Sequence, residues 1–364
     1  MAKKFNSSKV QGFRGLCRGI LTVFITLMFA FVPCVFAAGG ESFAFLKLGM
    51  GTRATGMGCA FTSIADDASA PYFNPAGTVN LKGFELMGET YFLSFGRSLN
   101  YVATAKPFVI AGTTYAAGFS WINNSSGSDI ETRLTNSPEP DARISDSSHI
   151  FLFNVAGKVS DAVSLGGNFR FVFENLGTFR GTGVGFDLGA MANITGKLNA
   201  GISITGISTN ITWNTGTHTE TLPQVVVFGV SNSFERLFGA PGMAILPSVD
   251  IVYNTFSGFR ARAGAEFSLD NFLFIRAGYN NGFSFGFGIR PRPSQIFTVK
   301  IDYALTVDSI VPGALNHRAG ATIVYVFPET GVAHKNPPDA GQPNNRAAPE
   351  EKGSNKKAVE DYDW

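Results

Sequence analysis

The chain has 364 residues, with 29 Lys and Arg against 27 Asp and Glu. That near-neutral balance carries no basic stripe, which excludes nucleic acid as the expected partner. The four histidines stand singly without metal-ligand spacing, and no Ser/His/Asp set can be argued from spacing, so the reading is no metal, no cofactor and no enzyme.

Lys3, Lys4, Lys9, Arg14 and Arg18 precede an uncharged apolar run, residues 20–37, which ends in Val35-Phe36-Ala37 before Ala38-Gly39-Gly40. This is the pattern of a secretory signal peptide, residues 1–37, cleaved after Ala37. The rival reading is a retained anchor, since the run is just long enough to span a bilayer, but the Ala/Gly exit favours a peptidase. Cys34 would suit a lipoprotein, and Pro33 in front of it fits that badly. Once Cys17 and Cys34 leave, Cys59 alone remains and no intrachain disulfide can form. No second apolar run of about 18 residues follows to make a helical span.

Residues 49–77, GMGTRATGMGCAFTSIADDASAPYFNPAG, form a small Gly-rich stretch. Met57, Phe61, Ile64 and Ala68 fall near helical spacing, which predicts a short helix over about 54–68. Asn74-Pro75 must end it in a tight turn, because proline cannot donate the next hydrogen bond and pushes Asn74 into an extended conformation. The run Gly51-x-Arg53-Ala54-x-Gly56-Met57-Gly58, then Ala65-Asp66-Asp67-Ala68-Ser69-Ala70, then Asn74-Pro75-Ala76-Gly77, resembles the N-terminal signature of the PorV/PorQ outer-membrane proteins. More distantly it is similar to the FadL-type long-chain fatty-acid transporters. The resemblance implies a hatch, residues 38–80, inside a 14-stranded barrel. It also implies a gap in the barrel wall near the turn, which here is Asn74, Pro75 and Ala76, with Asp66 and Asp67 beside it.

Residues 81–327 repeat short alternating segments separated by Gly/Asn/Asp/Pro turns. Val163, Leu165, Gly167, Phe169, Phe171 and Phe173 alternate with Ser164, Gly166, Asn168, Arg170, Val172 and Glu174, giving one oily and one polar face. Phe283, Phe285, Phe287 and Ile289 likewise oppose Ser284, Gly286, Gly288 and Arg290. A soluble sandwich also alternates. Three features favour a membrane: segments of about ten residues, about 14 of them, and connections that alternate between long and short. The starts fall near residues 82, 99, 112, 147, 162, 181, 197, 222, 244, 258, 271, 282, 295 and 316. Long connections at 122–146, 208–221 and 308–316 follow odd segments, and tight ones at 158–161, 194–197 and 269–271 follow even ones. The fold expected is therefore all-β, a transmembrane antiparallel β-barrel of about 14 strands with a small N-terminal hatch in its lumen.

Alternation places Arg170, Glu174, Asp187, Asp250, Arg260, Arg262, Glu266, Arg276, Arg290, Lys300, Asp302 and Arg318 on the inner face. A Lys or Arg facing lipid at mid-depth costs about 2–4 kcal/mol. The mixture of signs reads as a polar network tying wall strands to one another and to Asp66 and Asp67, in preference to a ladder for a charged substrate. Gly320, Ile323, Tyr325 and Phe327 in the last segment resemble the terminal strand of such barrels. A tail, residues 328–364, follows it, with too little apolar content to fold. It is expected as a flexible periplasmic arm, open to periplasmic or secretion-system proteins, with Tyr362 and Trp364 at its end.

The resemblance leaves two functions open. One is a barrel in the bacterial outer membrane, in contact with its lipid, that takes up hydrophobic small molecules such as long-chain fatty acids. The other is a PorV/PorQ-like docking or shuttle component of protein secretion and surface attachment. A continuous apolar pocket reaching the hatch favours uptake, and a lumen filled by side chains favours docking.

Overall fold

A computed structural model describes residues 43–327 except 128–129, 134–135, 137, 217–218 and 308–313. The expectations for the signal peptide and the tail lie outside the described residues. Fourteen strands make the wall: β1 Phe84–Phe92, β2 Ser98–Ile110, β3 Thr113–Ser125, β4 Asp146–Lys158, β5 Val163–Leu176, β6 Phe179–Asn193, β7 Leu198–Trp213, β8 Val225–Asn232, β9 Met243–Asn254, β10 Gly258–Leu269, β11 Leu273–Tyr279, β12 Phe283–Ile289, β13 Phe297–Val307 and β14 Leu315–Tyr325. Each begins within three residues of its expected start. All neighbours are antiparallel, and β1 pairs with β14 from Phe84↔Tyr325 to Phe92↔His317, which closes the ring so that each of the fourteen wall strands is paired on both sides. Among the described residues no helix is long and apolar enough to cross a membrane.

The period of two sorts the side chains. On β12, Phe283, Phe285 and Phe287 are 61%, 54% and 49% exposed, while Ser284 and Gly288 between them are buried. Outward phenylalanines pack edge to face across neighbouring strands, Phe151 on Phe173 and Phe153 on Phe171, giving the apolar outer band of a membrane barrel. Tight connections put their central residues in left-handed backbone. Ala111 and Gly112, both at positive φ, join β2 to β3 with Ile110 opposite Thr113. The long connection after β3 carries its own hairpin, Ile130–Thr132 with Ala142–Ile144, and that after β7 folds Thr219–Thr221 back onto the wall.

Residues 43–81 form an irregular thread, not the single helix expected over 54–68. Two short helices, α1 Thr52–Gly56 and α2 Ala70–Phe73, are flanked by 3-10 turns at Ala44–Leu48 and Pro75–Asn80. The expected helix breaks because Gly58, Cys59 and Ala65 all take positive φ, which a right-handed helix cannot accommodate. Met57, Phe61, Ile64 and Ala68 are nonetheless all buried. Asn74 is extended, and its side chain accepts from the Ala76 amide to start the turn at Pro75.

Candidate functional site

The thread lies inside the ring and is held from nearly every side. Glu89 of β1 accepts from the amides of Gly51 and Thr52 at 2.6 and 2.5 Å and from the Thr52 hydroxyl at 2.8 Å. These are amides that the first turn of α1 leaves unpaired. From β14, Arg318 reaches Thr55 Oγ1 at 2.9 Å and the Gly49 carbonyl at 3.0 Å. Glu85 accepts from the Ala68 amide and from Lys300 of β13 at 2.7 Å. Across the lumen, Asp250 of β9 accepts from the Phe61 and Thr62 amides and the Thr62 hydroxyl at 2.8–3.2 Å.

Arg53 is the hub of the charged contacts. It makes a two-pronged contact with Glu266 of β10, both N–H···O distances being 2.8 Å, and reaches Asp66 at 2.5 Å and Asp67 at 3.5 Å. Glu266 also takes Arg276 Nε at 2.6 Å, and Arg276 Nη1 reaches Asp302 at 2.7 Å. Burial alone would pull the Arg53 guanidinium down, yet Asp66, Glu266 and Asp67 hold it well above its ordinary value. Buried charges persist only when paired and hydrogen-bonded in this way. Arg290 lies with its guanidinium carbon 3.8 Å from the centre of the Phe274 ring.

The Asn74-Pro75-Ala76 turn is gripped by β4, β5 and β6. Asn74 Nδ2 donates to the carbonyls of Thr62 and Ala190 at 3.0 Å each, Asn154 Nδ2 donates to the Pro75 carbonyl, and the Ser164 hydroxyl donates to that of Ala76. Wall glycines let the thread approach this closely. A Cβ on Gly264 would stand 2.0 Å from the Met57 carbonyl oxygen, one on Gly278 2.1 Å from the Gly58 nitrogen, and one on Gly166 2.5 Å from Pro75.

Towards the long-loop end the inner face turns apolar. Tyr91, Leu99, Tyr101, Ile122, Ile150, Leu152, Val172, Ile211 and Trp213 face inward there, and Phe45, Leu46 and Leu48 of the thread pack against them. The wall is irregular beside this layer. Pairing between β6 and β7 slips on both sides of Phe186, Gly206 and Ser208 take positive φ, and Asp187 accepts from the Gly206 amide at 2.9 Å. Arg170 Nη2 donates to the same carboxylate at 2.8 Å. A cavity of about 60 Å³ sits against this irregularity, between Tyr72 and Phe73 of the thread and Gly206, Leu222 and Pro223 of the wall.

Arg170, Asp187, Asp250, Arg262, Glu266, Arg276, Asp302 and Arg318 are buried, while Glu174, Arg260, Arg290 and Lys300 are partly so. Glu174 stands apart from the thread contacts described above. Sequence reasoning gave no role to Arg53, Glu85 or Glu89. The alternation of Glu85, Met87, Glu89 and Tyr91 could have placed the two glutamates, whereas Arg53 carries no periodic signal. Among the described residues no group of His, Cys, Asp or Glu is placed to hold a metal.

No family model matches the chain, and no curated protein matches it. Solved structures do. The Ralstonia pickettii toluene transporter TbuX is similar at 12% identity over 78% of this chain and 99% of that one, with a TM-score of 0.51. The monoaromatic hydrocarbon channel CymD is similar at 15% identity over 77% and 98%, with a TM-score of 0.50. A deltaS2 mutant of the monoaromatic hydrocarbon channel TodX is similar at 12% identity over 77% and 99%, with a TM-score of 0.52. At these identities the likeness establishes the fold that this chain shares with them, a closed antiparallel barrel.

Proposed function

We propose that this chain is an outer-membrane barrel of the FadL type for the uptake of hydrophobic small molecules, with the N-terminal thread as its hatch and the long loops outside. The observation that carries this reading is the apolar inner layer around Tyr101, Ile150 and Trp213. A water-filled pore gains nothing from such a lining, whereas an oily solute does. The names of the similar structures, a toluene transporter and hydrocarbon channels, support the same class of cargo. Long-chain fatty acids remain the finer form of the proposal. The slipped pairing between β6 and β7 lies next to Gly189 and Ala190, where Asn74 docks, and is the part of the wall that would part to release cargo sideways.

A hatch in this position must move for cargo to pass. Thr52→Cys with Gly320→Cys tests this, since a Cβ on Gly320 would stand 3.3 Å from that of Thr52, and a shift of a few tenths of an ångström brings the pair to the roughly 3.5–4.5 Å of a disulfide. Oxidised protein in a deletion strain should not take up labelled toluene or oleate, and reductant should restore uptake. Equal uptake with and without the cross-link would refute the proposal.

A second reading is favoured by one observation. The lumen holds side chains and thread where an empty oily channel would be expected of a transporter, which suits a PorV/PorQ-like docking component. That role needs no movement of the thread. Normal oleate and toluene uptake in a deletion strain, together with secreted proteins captured by the native barrel, would select it.

A further inference from the structure

On the membrane-facing side of the first four strands, polar residues join into one hydrogen-bonded ladder. The Thr90 hydroxyl of β1 donates to Asn100 Oδ1 of β2 at 3.0 Å, Asn100 Nδ2 donates to Asn123 Oδ1 of β3 at 3.1 Å, and Asn123 Nδ2 stands 3.4 Å from His149 Nδ1 of β4. The strand register sets each of these residues directly opposite the next. Trp121 Nε1 donates to the same His149 nitrogen at 3.2 Å, with the two rings nearly parallel. An indole N–H can only donate, so Nδ1 must accept and the imidazole proton sits on Nε2. Every bond in the ladder therefore runs towards His149. What the ladder leaves over is one N–H on each asparagine and the His149 Nε2–H, all on half-buried side chains of the outer face.

On β3 and β4 the ladder marks the upper boundary of the apolar band. Below it the outward residues are Phe119, Trp121, Phe151 and Phe153, and above it stand Ser125 and Ser147. Asn123 lies about ten residues from the Ala111-Gly112 turn, which on a strand rising roughly 3.3 Å per residue and tilted about 40° is about 25 Å, the height of the apolar band in such barrels. A polar row demanded by the membrane interface alone would encircle the ring. On β10 and β12, however, exposed Phe259 and Phe283 keep the outer face apolar to the strand ends on the long-loop side. The ladder is thus a local feature, and it presents donors at the depth where acyl chains meet their heads.

We propose that this ladder binds the head of a membrane lipid in the leaflet on the long-loop side, one that offers neutral acceptors, acyl carbonyls and hydroxyls, as a glycolipid does. The three N–H groups meet those oxygens, and the acyl chains lie on the Phe119, Trp121 and Phe151 rings below. The ladder holds no guanidinium or ammonium for a phosphate to pair with, which separates a glycolipid from a head recognised through its phosphate. Such a site is independent of uptake through the lumen.

The test uses the full chain in phosphatidylcholine nanodiscs that contain, at equal mole fraction, a diacylated glucosamine lipid and phosphatidylglycerol of the same chain length. Lipid retained after transfer to mild detergent is counted by native mass spectrometry. Roughly tenfold greater retention of the glucosamine lipid is expected, the preference that two net hydrogen bonds give. It should be lost in Asn123→Leu with His149→Phe and kept in Tyr279→Phe, on the rim of β11. Equal retention of the two lipids, preference for phosphatidylglycerol, or a preference that survives the double substitution overturns the proposal. Should the double variant not fold, tryptophan emission of the native chain decides, because Trp121 stands at the ladder while Trp213 faces the lumen. The glucosamine lipid brominated in its acyl chains should quench that emission more strongly than brominated phosphatidylglycerol, and equal quenching overturns the site.

Discussion

The two faces of a single wall strand obey different rules, and β12 displays both. Its outward phenylalanines meet neighbours of the same chemistry and could be exchanged for other apolar residues. Its inward residues have no such latitude: Gly286 lies against Gly56, and Gly288 lies against Arg276 and Asp302. The outer face is therefore specified by composition, and the inner face by individual contacts. The lesson is that one sequence period decides where a residue points, but only the partner across the lumen decides what it must be.

The comparison can be broken first at its strongest point. Glu266→Ala would leave Arg53 and Arg276 as buried cations without their shared carboxylate, and a loss of about 3–5 kcal/mol is expected. Urea unfolding in vesicles measures it, and a loss below about 1 kcal/mol would mean the network carries little. Gly264→Ala comes next, because its new methyl meets the Met57 carbonyl. About 1–3 kcal/mol of strain is expected, with the thread newly open to protease. Gly88→Ala, with nothing within 4 Å, should change stability by less than about 1 kcal/mol. On the lipid face, Phe285→Arg should cost about 2–4 kcal/mol near mid-depth and Phe285→Leu much less. The smallest effect belongs to Glu131→Ala, whose pairs with Arg133 and Arg143 are exposed and should contribute at most about 1 kcal/mol.

The wall was legible because alternation is a local property, repeated in segment after segment. Phe283 to Gly288 state their own orientation without reference to anything distant. The thread was less legible. Helical spacing of Met57, Phe61 and Ile64 described burial correctly but misled about backbone shape, since the left-handed residues Gly58 and Cys59 answer to docking on β10 and β11 and Ala65 to close packing on Gly77. The cavity was not legible at all, because Arg170 of β5 and Arg262 of β10 come to line one space only when the ring closes.

The first and last strands share one task besides pairing with each other. Glu89 on β1 and Arg318 on β14 both clasp the chain between Gly49 and Thr55, so the seam closes around that segment. During biogenesis the N-terminal thread would then act as a mandrel, already in place when the final strand arrives. Assembly of this barrel is accordingly tied to contacts more than 200 residues apart in the chain, which makes it slow to mature and dependent on its own beginning to complete its end.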